Sequence, residues 1–104
     1  MKPSLVVVLA AVLAAAAAKD APGQTFAPTS GATLVATCTG CHGPGGQSAG
    51  AIPSLNGRAE ADILQAMLEF KTDRRPATVM NRHAKGFSDE EIAAMAREIA
   101  TSWR

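Results

Sequence analysis

The residues that most constrain this chain are Cys38-Thr39-Gly40-Cys41-His42. They hold both cysteines of the 104-residue sequence, and the next position carries one of its two histidines. Two cysteines are too few for the disulfide framework that staples many small domains. A bridge between Cys38 and Cys41 would close a very small loop and stabilise little. A thioredoxin-like Cys-x-x-Cys needs a βαβ setting, yet the chain has no strand-like alternation and no internal repeat. A zinc site built from Cys38, Cys41, His42 and His83 would have to use a Cys and a His adjacent in sequence, an awkward pair for a tetrahedral ion.

One chemistry uses every residue of the motif. Cys-x-x-Cys-His is the attachment pattern of haem c. One helical turn and a bend set two thiols to add across the two vinyl groups of one haem, and His42 then faces the iron as proximal ligand. A covalent prosthetic group also suits the composition. The chain has four aromatic residues (Phe26, Phe70, Phe87 and Trp103) and no Tyr. A domain this small often needs a staple, metal or cofactor to complete its core.

Haem c is attached outside the cytoplasm, and the N-terminus fits export. Lys2 is followed by an unbroken run of Leu, Val and Ala from Leu5 to Ala18. The run is short of the roughly 20 residues that span a bilayer. It ends in Ala16-Ala17-Ala18 before polar Lys19 and Asp20, as a signal peptidase site requires. The expectation is a signal peptide over 1–18, a leader over 19–29 and one haem domain over 30–104. That gives a periplasmic protein with no stable membrane span after cleavage; a retained anchor is the alternative. Lys+Arg number 10 against 9 Asp+Glu, without the basic excess that nucleic-acid binding needs.

The pattern predicts an all-α domain of three main helices joined by long loops. Residues 31–38 read as a short helix that Ser30 can cap. Residues 43–58, rich in Gly and Pro, read as a long loop of the kind that is usually functional. Ile63, Leu64, Met67, Leu68 and Phe70 give residues 60–72 a broad apolar face. Residues 73–87 read as a second loop, broken by Pro76 and Gly86. Ser88 and Glu91 form a capping box for the last helix, whose buried side is Ile92, Met95, Ala96, Ile99 and Trp103.

The distal ligand decides what a haem does. Met67 and Met95 lie on apolar helix stripes, where Met is usually core. Met80 follows Pro76 in the second loop and is the expected distal ligand; its thioether favours ferrous iron and a high potential. His83 reads as a solvated residue able to replace Met80 at high pH or in a misligated state. Asn81 can hydrogen-bond the Met80 sulfur, or serve as an ordinary turn residue. Lys71, Arg74, Arg75, Arg82 and Lys85 surround Met80 and read either as a solvated surface or as a docking face that steers an acidic partner.

With an early Cys-x-x-Cys-His, a loop Met and a capped last helix, residues 30–104 resemble the class I cytochromes c. Pro53-Ser54-Leu55-Asn56-Gly57 matches that family's Pro-x-Leu-x-Gly segment. The resemblance implies that the Pro53 carbonyl accepts a hydrogen bond from the His42 ring and that Leu55 packs on the haem. It also implies a first helix crossing the last, with Leu34 against Ile92, Met95 and Ile99. A narrower resemblance, carried by Phe70-Lys71, Thr78-Val79-Met80, Arg82, Ala84-Lys85-Gly86 and Phe87-Ser88, is to the haem subunits of flavocytochrome c sulfide dehydrogenases. Here it would be a monohaem form.

That resemblance implies a periplasmic one-electron carrier. It would take electrons from the FAD of a flavoprotein subunit that oxidises sulfide, and pass them to a soluble acceptor protein. FAD would reside only on the partner, and no catalytic activity is expected of this chain alone, because haem consumes both thiols. A free monohaem shuttle between periplasmic or membrane redox proteins is the alternative. A haem sensor with a labile sixth site is a third reading.

Overall fold

The computed structural model describes residues 29–104. The expected signal peptide and nearly all of the leader lie outside them. Five helices follow in order: α1 (Gly31–Ala36), α2 (Thr39–His42), α3 (Glu60–Lys71), α4 (Met80–Ala84) and α5 (Asp89–Ser102). A 3₁₀ turn spans Pro44–Gly46, and no strand occurs among the described residues. The all-α expectation holds.

The last helix starts as its sequence dictates. Ser88 Oγ accepts from the Glu91 backbone N–H at 3.1 Å, and Glu91 Oε2 accepts from the Ser88 N–H at 2.8 Å. This reciprocal capping box satisfies two donors that the first turn leaves free. Asp89, Glu90 and Glu91 lie in that turn, where negative charge complements the helix dipole. Ile92, Met95, Ala96 and Ile99 are at most 2% exposed and form the centre of the core. Full burial of an Ile side chain contributes about 1.5–3 kcal/mol.

The first helix crosses α5, with Leu34 and Val35 buried in the same cluster. The close approach is at Gly31, where an added Cβ would lie 2.7 Å from the Ala94 carbonyl oxygen and 3.1 Å from Glu98 Cβ. Ser30 caps α1 by accepting from the Thr33 N–H. The helix is shorter than its sequence suggests and stops at Ala36. The Thr37 hydroxyl donates to the Leu34 carbonyl, and the Cys38 N–H turns back to Val35. These bonds tighten the chain before α2 begins.

Helix α3 buries Ile63 and Met67, while Leu64, Leu68 and Phe70 are half-buried against the core. It ends in a Schellman motif. The Arg74 N–H bonds the Glu69 carbonyl at 2.8 Å, and the Asp73 N–H bonds that of Phe70 at 3.2 Å. The left-handed position, usually Gly, is Asp73 at φ 57°. Lys71, in the last turn, pairs with Asp89 in the first turn of α5 at 2.7 Å.

One expectation is corrected. The segment read as loop from 73 to 87 contains α4, and Met80 is its first residue rather than a loop residue. The Arg82 and His83 N–H groups close onto the Val79 carbonyl, and Ala84 is fully buried. Five residues are too few to be helical by propensity. The packing of the Ala84 methyl into the core, which sequence periodicity does not reveal, holds the turn.

Candidate functional site

The motif is laid out along one continuous turn. Cys38 precedes α2, and its carbonyl accepts from the N–H groups of Cys41, at 3.3 Å, and His42, at 2.9 Å. Both cysteines are free, Cys38 half-buried and Cys41 exposed. Burial pushes the Cys38 thiol above its ordinary range, Thr37 opposes this by a hydrogen bond, and Cys41 adds to it.

His42 is the single buried polar side chain among the described residues, at 7% exposure. Its Nδ1 lies 2.6 Å from the carbonyl oxygen of Pro53. A carbonyl can only accept, so Nδ1 carries the proton. The Nε2 lone pair is left free to coordinate, with ring orientation and tautomer fixed by the carbonyl.

The loop that presents Pro53 is stitched across its base. The Gly46 carbonyl accepts from the N–H groups of Leu55, at 2.7 Å, and Asn56, at 3.2 Å. Ser54 Oγ accepts from the Ser48 N–H at 2.9 Å. The Gly57 N–H then donates to the Trp103 carbonyl at 2.8 Å. Gly46, at φ 72°, is buried beneath the Trp103 side chain, and an added Cβ would lie 2.5 Å from the indole. Sequence reasoning placed Trp103 on the buried side of α5 but had no signal for Gly46 as its seat.

Cys38, Leu55 and Met80 are partly buried and pack against one and the same cluster. Met67 and Met95, 8% and 2% exposed, are core side chains, as their helical spacing implied. His83 is exposed. Asn81 makes no hydrogen bond to the Met80 sulfur among the described residues; its Oδ1 is buried and without a partner. The same residues contain no cluster of three or more His, Cys, Asp or Glu side chains able to hold a metal ion. The zinc reading therefore has no geometry behind it, and the free thiols leave the disulfide reading without a bond.

The basic segment around Met80 is largely neutralised. Arg75 pairs with Glu69 at 2.9 Å and lies 5.6 Å from the centre of the Phe70 ring. Lys85 pairs with Asp73, at 2.5 Å, and Lys71 with Asp89. Arg74 and Arg82 are in no ion pair among the described residues. Hydrogen bonds hold two carboxylates below the usual range: Glu69 mainly from Gln65 and then Arg75, Asp73 mainly from Lys85. By contrast, residues 29–57, which carry the cysteine motif, contain no Asp, Glu, Lys or Arg.

The donor set fits haem c. It supplies two free thiols three residues apart, an imidazole with one nitrogen free, and a soft thioether on an element packed against the same core. Comparison with known proteins agrees. The family model described as cytochrome c matches residues 28–103. The chain is 46% identical over 66 residues to the cytochrome subunit of sulfide dehydrogenase of Chlorobaculum tepidum, over 64% of this chain and 60% of that protein. It is 33% identical over 70 residues to cytochrome c-553 of Helicobacter pylori, over 65% of this chain and 73% of that one. It is 35% identical over 99 residues to cytochrome c-552 of Thermus thermophilus, over 78% and 65% respectively. The chain thus spans less than two thirds of the first of these relatives.

Proposed function

The chain belongs to the cytochrome c family as a class I, monohaem electron carrier, and from that premise we propose that it is the cytochrome subunit of a periplasmic flavocytochrome c sulfide dehydrogenase. The observation that carries the finer assignment is the 46% identity to the Chlorobaculum tepidum protein of that name. The signal-like segment over 1–18 supports export, and no helix among the described residues is long and apolar enough to cross a membrane.

In this reading Cys38 and Cys41 would hold the haem by thioether bonds, and His42 Nε2 and the Met80 thioether would ligate its iron. When bound, the haem iron supplies a one-electron ferric–ferrous couple. The chain's own residues set the terms of that couple. Donation from His42 Nδ1 to the Pro53 carbonyl fixes the ring and raises the basicity of its other nitrogen. The Met80 thioether, a soft donor, favours the reduced state. With both His42 and Met80 as ligands the iron would have no position for substrate, so sulfide chemistry would fall to a flavoprotein partner carrying FAD. Leu55, packed against the core, would lie against the haem. The chain passes electrons on to a soluble acceptor protein.

The test is the absorbance of the natively purified protein, resolved by size, before and after sulfide. Co-eluting flavin and haem bands, with haem reduced on adding sulfide, are the expected result. Haem bands alone at the size of one small chain, indifferent to sulfide, would overturn the subunit assignment and leave a free shuttle.

A further inference from the structure

The end of α5 closes on the loop that carries the Pro53 carbonyl. Trp103 holds that loop in two ways. Its carbonyl accepts from the Gly57 N–H at 2.8 Å. Its indole covers Gly46 so closely that an added Cβ there would lie 2.5 Å from Cε3 and 3.1 Å from Cζ3. Gly46 in turn offers its carbonyl to the N–H groups of Leu55 and Asn56. Pro53 lies two residues before Leu55, and its oxygen is the acceptor for His42 Nδ1. A connected path therefore runs from Trp103 through Gly46 and the 54–57 segment to the imidazole. Pro53 and Gly57 are exposed and only Leu55 of that segment packs on the core, so the Trp103 contacts add to a shallow anchorage.

We propose that Trp103 is the positioning residue of the His42 imidazole: by clamping Gly46 and Gly57 it fixes the Pro53 acceptor, and so the orientation and donor strength of the ring. The proposal rests on His42 being the proximal ligand. A fixed acceptor on Nδ1 strengthens the imidazole as a donor and favours ferric iron. A loosened acceptor therefore raises the reduction potential.

Three variants of the haem-loaded protein test it. Trp103→Leu removes the ring from Gly46, Trp103→Phe keeps a smaller one, and Leu34→Ala lowers stability at the α1–α5 crossing while leaving Trp103, Gly46 and Gly57 unchanged. Two quantities are read: exchange of the His42 ring N–H with solvent by NMR of the reduced protein, and the midpoint potential. Trp103→Leu is expected to speed exchange at least tenfold. It should also shift the one-electron equilibrium upward threefold to tenfold, tenfold being about 59 mV. Trp103→Phe falls between it and the parent protein. Leu34→Ala moves neither, whatever its melting temperature. If the Trp103 variants move both quantities no more than Leu34→Ala does, the proposal is overturned while the ligand assignment stands. If Trp103→Leu does not mature, Trp103→Phe against the parent protein decides. A parent protein without a haem-ligated His42 ring signal would overturn both.

Discussion

The Nδ1 atom of His42 and the carbonyl oxygen of Pro53, eleven positions later in the sequence, are 2.6 Å apart. The acceptor is a backbone atom, so no side-chain substitution at position 53 deletes it. Proline acts there by restricting the chain. Pro53→Ala is expected to keep the hydrogen bond, to lower stability by about 0.4–1 kcal/mol through a freer unfolded state, and to leave the haem spectrum unchanged. Thermal unfolding and the absorbance spectrum check this.

Met80 is half-buried on α4 and is the distal ligand of the proposed reading. Met80→Ala is expected to open the iron to carbon monoxide in the reduced protein, whereas the parent is expected not to bind it. Met80→His should keep six-coordination and lower the potential by a fraction of the roughly 0.8 V that axial ligands span. Carbon monoxide binding by the parent protein would refute the assignment and favour a sensor.

Gly31 meets the Ala94 carbonyl where α1 crosses α5. Alanine is favoured over glycine inside a helix by roughly 1 kcal/mol, so propensity predicts that Gly31→Ala stabilises. The contact predicts the reverse, because the added methyl overlaps backbone that cannot rotate away. A net loss of about 1–3 kcal/mol is expected, as for other overpacked sites, read as a lower melting temperature.

Asp73 has its carboxyl held below the usual range, first by its bond to Lys85. A depressed folded-state pKa contributes stability above the unfolded value, and that contribution is lost as pH falls through the folded value. Stability of the parent protein should therefore fall faster in acid than that of Asp73→Asn. The variant keeps a residue that tolerates the left-handed conformation but has no charge to lose. Both groups are on the surface, so the difference is small; melting temperature across acid pH measures it.

Arg74 and Arg82 are the cations of the Met80 segment that are in no ion pair among the described residues. If this segment steers an acidic partner, reversing them should slow electron transfer at low salt more than reversing Arg75, whose charge Glu69 already offsets. Equal effects at all three would show that steering does not depend on free charge. Stopped-flow rates at two ionic strengths distinguish the cases.

Much of the chain could be read from local pattern. Ser88 and Glu91 are three residues apart, and a capping box needs nothing else. Ile92, Met95, Ala96 and Ile99 mark one helical stripe, and all four are buried. The family model and the helical structure bear out the class I cytochrome c resemblance drawn from Cys-x-x-Cys-His and Pro53-Ser54-Leu55-Asn56-Gly57. What stayed illegible depends on contacts between distant segments. Helix α4 exists because Ala84 is buried, and nothing in residues 73–87 alone says so.

Local pattern was enough for the Cys-x-x-Cys-His motif and for the starts of α1, α3 and α5, because each acts over a few residues, within the reach of one turn. The sequence also determined that residues 29–57 are free of Asp, Glu, Lys and Arg while the charged residues of the domain follow them. Which atoms those segments bring into contact is settled by how the helices pack. Gly31 is small because α5 passes there, Gly46 because Trp103 lies on it, and three basic side chains around Met80 are paired with Glu69 on α3, Asp73 just after it and Asp89 on α5. Contacts between residues distant in sequence depend on how whole helices pack, so no local periodicity encodes them.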